Sequence, residues 1–286
     1  MPELPEVETV RTVLKRKILE KQIKSVIIYY ENIIEYPSIK EFKEQIQNET
    51  IHDIGRRGKW LLFELDHYFL LSHLRMEGKY QVKNQTDPRR KHEHVRFLFT
   101  DETELRYQDT RKFGKMYLIK KEEIYKRKPL CELGLEPFDE NLDGQYLIDK
   151  WKNKKMPIKT ALLDQSIITG IGNIYADEIL FSSKINPLKE CHKLKKSECN
   201  SIIENTRKIL NQAIEYGGTT IRSYTAEEGV TGHFQGKLKV HNKEGEKCPN
   251  CNNLIKKITV GGRGTYYCDK CQVLTKKGWQ KKCHMI

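Results

Sequence analysis

Cys248-Pro249-Asn250-Cys251, a gap of sixteen residues, then Cys268-Asp269-Lys270-Cys271: two CxxC knuckles at this separation supply four thiolates, the donor set of a closed tetrahedral zinc site. Four thiolates leave no open position for a water, so the implied Zn2+ is a single structural ion. The sequence requires no other cofactor. Between the knuckles, Lys256 to Val260 and Thr265-Tyr266-Tyr267 are strand-like and flank Gly261-Gly262-Arg263-Gly264. The segment therefore predicts a β-hairpin stapled by metal, with Arg263 at its tip. An arginine placed there can grip a phosphate in bidentate fashion, although in isolation it would be an ordinary solvated loop residue.

The charge balance implies an anionic partner. Lys plus Arg outnumber Asp plus Glu by 52 to 39, a net +13 over 286 residues, and from Lys237 to the end twelve basic residues face three acidic ones. That balance does not choose among nucleic acid, acidic protein and anionic membrane. No apolar run approaches the roughly 20 residues of a spanning helix. The start, MPELPEVETV, lacks the basic region and apolar stretch of a signal peptide. A soluble cytoplasmic protein without a membrane partner is expected. Cys131, Cys191, Cys199 and Cys283 are scattered and are expected as free buried thiols.

Upstream of the knuckles the chain divides by pattern. Leu4, Val7, Val10, Leu14 and Ile18 recur near helical spacing and predict a helix starting just after Pro5, with Glu6 and Glu8 in its first turn. From Gln22 to Lys120 the pattern changes to short β-branched and aromatic runs, Ile23 to Tyr30, Trp60 to Leu65, Tyr68 to Leu71, Val95 to Phe99 and Met116 to Ile119, which predict an antiparallel sandwich. Pro129, Gly134 and Pro137 mark a boundary. Helical periods then return, most clearly from Ser197 to Tyr216, a core helix that Gly217-Gly218 ends. Asp164 to Tyr175 reads as two tight turns opening a helix, with Asn173 as its N-cap and amides exposed to a phosphate. No strand of βαβ type precedes those glycines, which argues against a dinucleotide fold.

Pro2 follows Met1. Methionine removal would expose a secondary amine able to attack a sugar C1′ and form an iminium, an electron sink that acidifies the C2′ proton. Glu3 and Glu6 are near enough in sequence to pass protons to and from an opening sugar. Read alone, PELPE is an ordinary extended entry to a helix. Its company changes that reading: Pro2 to Thr9 is joined by His73-Leu74-Arg75-Met76-Glu77-Gly78, by Asp109-Thr110-Arg111-Lys112-Phe113-Gly114, by the Gly170 to Tyr175 turn and by the cysteine knuckles. In this order the motifs resemble those of the formamidopyrimidine-DNA glycosylase family over nearly the whole chain.

The resemblance implies an α+β chain: an N-terminal β-sandwich domain with its leading helix (1–130), a helix-two-turn-helix domain (137–225), a four-cysteine zinc finger (237–272) and a basic tail (273–286). It implies base excision repair of oxidised purines, 8-oxoguanine and formamidopyrimidines, in double-stranded DNA bound between the domains by a monomer of bacterial type. Abasic sites are implied substrates as well. Pro2 would be the nucleophile, Glu3 the proton donor, Lys59 an aid to elimination, and Arg263 the phosphate clamp tied to the second elimination. Asn173, His92 and Lys154 or Lys155 match further DNA contacts. Met76, Arg111 and Phe113 match the residues that fill the void left by an extruded base. His73, in the Met76 motif, and Glu6, beside the nucleophile, complete the DNA-facing set.

Three departures stand out. Asn252 occupies a place where the family often has glycine, His241-Asn242-Lys243 replaces a Tyr-Gly-Arg stretch, and Val273 to Ile286 extends past the usual end. Two rival readings accompany the resemblance. An endonuclease VIII-like enzyme for oxidised pyrimidines shares the proline chemistry, but Leu4 stands where that branch has glycine. A noncatalytic zinc-finger DNA-binding protein is opposed by intact Pro2, Glu3 and Lys59.

Overall fold

The computed structural model describes residues 1–219 and 232–274. Leu4, Val7, Val10, Leu14 and Ile18 are each at most 1% exposed and form the buried face of helix α1 (Leu4–Ile18). The helix begins one residue before Pro5, not after it. The proline ring takes a first-turn position whose N–H would have had no intrahelical partner, so the missing donor costs nothing there.

Two sheets follow. One has the order β1 (Ile23–Ile28), β7 (Glu93–Phe99), β8 (Thr103–Gln108), β6 (Lys79–Asn84), and is antiparallel throughout. The other has the order β2 (Ile34–Tyr36), β9 (Lys115–Lys120), β5 (Tyr68–His73), β4 (Trp60–Glu64), β3 (Asp53–Arg57). The expectation of a purely antiparallel sandwich fails at one edge, where β2 runs parallel to β9. Such a pair needs a long connection rather than a hairpin, and here helix α2 (Ile39–Ile46) and six strands intervene.

Period-two alternation divides β4 between two cores. Leu61 and Phe63 pack with Val95, Phe97, Leu105 and Tyr107 of the other sheet and with Val10 and Leu14 of α1. Trp60 and Leu62 pack on the opposite face with Leu71, Ile119, Ile124 and Leu130. Each such side chain, fully buried, contributes about 1.5–3 kcal/mol. Arg56 in β3 then ties the helix to the chain beyond the sheets, pairing with Glu8 at 2.9 Å and Glu136 at 3.0 Å. Burial raises the Glu8 carboxyl, but the Arg11 and Arg56 guanidiniums outweigh it and hold the group below the usual carboxylate range.

Compactness cuts across chain order. One unit combines 1–139 with 165–172 and 210–237. The stretch 165–172 belongs there because Leu135 bridges to Ile168 and the Leu4 N–H donates to Gly170 O at 3.1 Å. The other unit contains α3 (Gly144–Trp151), α4 (Ile158–Leu162), α5 (Asn173–Ser182), the first fourteen residues of α6 (Lys196–Glu215), and the hairpin β10 (Lys256–Val260) and β11 (Arg263–Tyr267). Helix α5 is apolar around most of its circumference and buries Tyr175, Ala176, Ile179, Leu180 and Phe181. Helix α6 stops at Gly217 and Gly218, whose φ of 71° and 79° only glycine adopts without strain.

Cys191 and Cys199 are buried thiols, as expected, but Cys131 is exposed because its neighbour Leu130 takes the inward position of their short turn. Cys283 and the tail from residue 275 lie outside the described residues, as do residues 220–231. Among the described residues no helix is long and apolar enough to cross a membrane.

Candidate active site and metal centre

A short turn collects the N-terminal residues. Gly172 N–H donates to Glu3 Oε2 at 2.7 Å, Leu4 N–H donates to Gly170 O, and Lys59 Nζ donates to Ile171 O at 2.8 Å. Three successive residues of one turn therefore hold both ends of the candidate chemistry. Gln165 closes the turn on itself, its amide donating to Ile171 O and accepting from Gly170 N–H, both at 2.9 Å. Close approach explains two of the glycines. A Cβ on Gly170 would lie 2.6 Å from the Leu4 side chain, and one on Gly172 would lie 2.6 Å from Glu3 Oε1.

Lys59 reaches the turn from a hairpin tip. Arg57 pairs with Trp60, leaving Gly58-Lys59 as a two-residue loop, and Gly58 supplies the positive φ of 58° that such loops need. The lysine is only 6% exposed, and its bond to a carbonyl offsets part of the cost of burying a charge.

Glu6 anchors the same segment. Its Oε2 accepts from Glu3 N–H at 2.9 Å, and its Oε1 accepts from Thr219 N–H at 2.8 Å and the Thr219 hydroxyl at 3.0 Å. At 4% exposure its carboxylate is taken up by these backbone and hydroxyl donors, so here it holds the segment that carries Glu3. His73 is buried as well. It is 8% exposed, packs edge-on against Trp60, and accepts from Arg75 N–H at 2.9 Å. Burial, then the Arg75 and Lys59 charges, pull its imidazole down to about 3, so it is neutral and shapes the turn that carries Met76. Pro2, half-buried, directly precedes Glu3.

The Arg111 and Phe113 loop is built on one carboxylate to which the motif reading gives no role. Asp109, fully buried, accepts from Arg111 N–H at 3.0 Å through Oδ1, and from Phe113 and Gly114 N–H at 2.9 and 2.8 Å through Oδ2. Phe113 is thereby left 48% exposed, a large apolar ring facing solvent, with the Arg111 guanidinium 4.8 Å above it. His92 is half-buried in a left-handed conformation, φ 69°, and its carbonyl accepts from Asp109 N–H.

In the second unit Asn173 is the first residue of α5 rather than its N-cap. Its Nδ2 donates to Gly264 O at 2.9 Å, while its buried Oδ1 has no partner among the described residues. The side chain turns away from its own helix start and toward the finger hairpin. Lys154 is paired to Asp164 at 3.0 Å, and Lys155 is exposed. The lysine that supports the helix start lies outside the matched motifs: Lys159, fully buried, donates to Asn173 O at 2.8 Å and to Asp177 Oδ1 at 2.6 Å. A lysine between Ile158 and Ala161-Leu162 was the available signal. Asp177 also holds His241 Nδ1 at 2.7 Å, and Glu178 accepts from Lys239, Val240 and His241 N–H, each at 2.9 Å. Two adjacent carboxylates of α5 thus fix the entry to the finger.

The four knuckle sulfurs lie within 4.8 Å of one another, with Cys248 to Cys271 at 3.8 Å and Cys251 to Cys268 at 3.5 Å. Tetrahedral thiolates about 2.3 Å from zinc stand about 3.8 Å apart, so the set fits one structural zinc ion. The Asn253 backbone N–H, ahead of the neighbouring thiols, pulls Cys251 down to about 7, toward the thiolate that a metal needs. Pairing of Val260 with Arg263 reduces the turn to Gly261-Gly262, with φ of 54° and 74°. Arg263 therefore opens β11 beside the tip instead of occupying it, and it is exposed.

Family models match three segments: residues 1–116 the formamidopyrimidine-DNA glycosylase N-terminal domain, 133–225 its H2TH domain, and 245–273 the zinc finger found in FPG and IleRS. The chain is 49% identical over 273 residues to a formamidopyrimidine-DNA glycosylase of Oceanobacillus iheyensis, covering 95% of this chain and 98% of that protein. It is 48% identical over 278 residues to that of Bacillus subtilis, covering 97% and 100%. Among solved structures it is similar to Lactococcus lactis Fpg complexed with abasic-site DNA, with a TM-score of 0.89, 40% identity and coverage of 95% and 100%. The same enzyme with FAPY-dG DNA gives 0.88, 39%, 95% and 100%.

Proposed function

The chain belongs to the formamidopyrimidine-DNA glycosylase family and is a DNA glycosylase of damaged-base repair; on that premise we propose that it excises 8-oxoguanine and formamidopyrimidines through Pro2 and then cleaves the strand twice. The acting species begins at Pro2, because while Met1 remains the proline nitrogen is an amide with no nucleophilic lone pair. Pro2 N attacks C1′ as the glycosidic bond breaks, and the departing base takes up a proton. Glu3 protonates the ring oxygen of the sugar, which opens to an iminium. Loss of the C2′ proton expels the 3′-phosphate, and a second elimination expels the 5′-phosphate, leaving a gap with phosphate at both ends. Lys59 aids elimination. Arg263, Asn173, His92 and Lys155 hold the backbone, and Met76, Arg111 and Phe113 fill the vacated stack. Lys154 joins them only by exchanging Asp164 for a phosphate. Zinc holds the hairpin that bears Arg263 when bound. The protein acts as a monomer on double-stranded DNA.

The observation that carries this reading is the Gly170–Gly172 turn, whose three residues bond Leu4, Lys59 and Glu3 and so set the residue after Pro2 and the candidate lysine in one frame. Borohydride reduction with a duplex containing 8-oxoguanine opposite cytosine tests it. A covalent adduct that disappears in Pro2→Gly is expected. Processed protein that gives neither adduct nor cleavage sinks the Pro2 mechanism, and if the base also stays in place the binding-module reading takes over. Faster processing of thymine glycol than of 8-oxoguanine would move the assignment to oxidised pyrimidines.

A further inference from the structure

Met76 and Phe113 come from different loops, each crossing from one sheet to the other: Met76 from the turn between β5 and β6, Phe113 from the loop between β8 and β9. If both act on one extruded base, their loops must keep a common register. Both loops end in glycine, Gly78 and Gly114, and at each position a Cβ would overlap the same atom, the hydroxyl oxygen of Tyr107. Tyr107 is fully buried and its ring meets Tyr80 edge-on at 5.1 Å, so the hydroxyl has a fixed place. It donates to Asp109 Oδ2 at 3.4 Å, the oxygen that also takes the Phe113 and Gly114 N–H groups. Gly78 N–H in turn closes its own loop on Leu74 O at 2.9 Å.

We propose that the buried Tyr107–Asp109 pair is a positioning device that registers the Met76 and Phe113 loops against each other and thereby governs lesion extrusion; this rests on the void-filling reading above. Neither residue touches DNA. Asp109 sets the Phe113 loop by three backbone hydrogen bonds, and Tyr107 spans from that carboxylate to the backbone of the Met76 loop. The glycines at 78 and 114 are required because the phenol occupies the space a side chain would need.

The test compares Tyr107→Phe, Asp109→Asn and Phe113→Ala with the parent, all processed at Pro2 and loaded with zinc. Single-turnover excision from an 8-oxoguanine:cytosine duplex is set against cleavage at an abasic site in a single-stranded oligonucleotide, which has no stack to fill. A 2-aminopurine beside the lesion reports unstacking. Asp109→Asn places an amide donor where N–H groups converge, and duplex excision should fall about 10- to 100-fold, the scale of a lost hydrogen bond to a charged acceptor. Tyr107→Phe should show the same selective loss to a lesser degree, with single-strand cleavage at the parental rate and the 2-aminopurine response reduced as in Phe113→Ala. Impairment of Phe113→Ala alone, with both other variants parental, overturns the proposal and leaves the wedge intact. A parental Phe113→Ala removes the void-filling reading and the proposal with it. Equal loss of both reactions in Tyr107→Phe makes the pair mere scaffold and also overturns it.

Discussion

Glu3 Oε2 accepts the Gly172 N–H at 2.7 Å across 169 positions of sequence, so the candidate proton donor is aimed by a glycine amide in a distant turn. A methyl group on Gly172 would overlap the Glu3 carboxylate. Gly172→Ala should therefore displace the acid without removing it, and base excision should fall by about 10²–10⁴-fold, the usual worth of a general acid. Single-turnover excision is the measurement, with zinc content and circular dichroism as controls. Excision at the parental rate would mean that the placement of Glu3 does not limit the reaction.

Lys59 shares Ile171 O with Gln165. In Lys59→Met that carbonyl keeps one donor, so stability should drop by only about 1 kcal/mol, the net value of one hydrogen bond. Strand cleavage should drop far more than stability. Urea unfolding and cleavage of an abasic-site duplex, measured on the same preparation, separate the two; cleavage that merely tracks the folded fraction would make Lys59 a structural residue.

Removal of zinc should release one ion per chain and unravel the hairpin, because the cluster beneath it is small: Phe181, Val240 and Ile255 with the cysteines themselves. Atomic absorption and DNA affinity before and after chelation check this. Arg263→Ala keeps the metal and should weaken binding uniformly across sequences, lowering the salt slope by about one phosphate contact. An unchanged slope would place Arg263 off the DNA.

His73 carries a pH signature. Its imidazole is held down to about 3 in the folded chain, chiefly by burial, against 6.5 for the free group. The unfolded chain therefore binds the extra proton first, so the contribution is fully present above about pH 6.5 and is lost progressively as pH falls toward 3. Between about pH 6.5 and 5, before most carboxylates titrate, denaturant stability should decline in the parent and less in His73→Leu. Burial also lowers His94, so the variant's curve flattens without becoming level. Parallel curves for parent and variant would contradict the depressed value.

The cysteine knuckles, the α1 stripe and the α6 stripe are legible in the sequence because each is a local period, in which spacing alone fixes the face or the donor set. The start of α1 differs from its expected place for an equally local reason, since proline bars a helix interior but not a first turn. Lys159 and Asp109 are harder to read. Each is a charged residue whose partners lie elsewhere in the chain, and a buried charge looks in sequence like any solvated one. Asn173 is located correctly at a helix start but not as its cap, since spacing identifies the start and not which way the side chain turns.

By itself the sequence determined helices α1 and α6, the strands β1, β4, β5, β7 and β9, the four thiolates and the order of the motifs, because these depend on neighbours a few positions apart; β2, β3, β6, β8 and α2 emerged only in the structure. Only the tertiary structure decided that Glu6 and His73 are buried supports and that Gly172 aims Glu3. It also decided that one phenol backs two loops. These follow from close approaches between distant segments, where the excluded volume of a single methyl group or the cost of an unpaired buried donor sets the outcome, and neither quantity can be read from residue spacing.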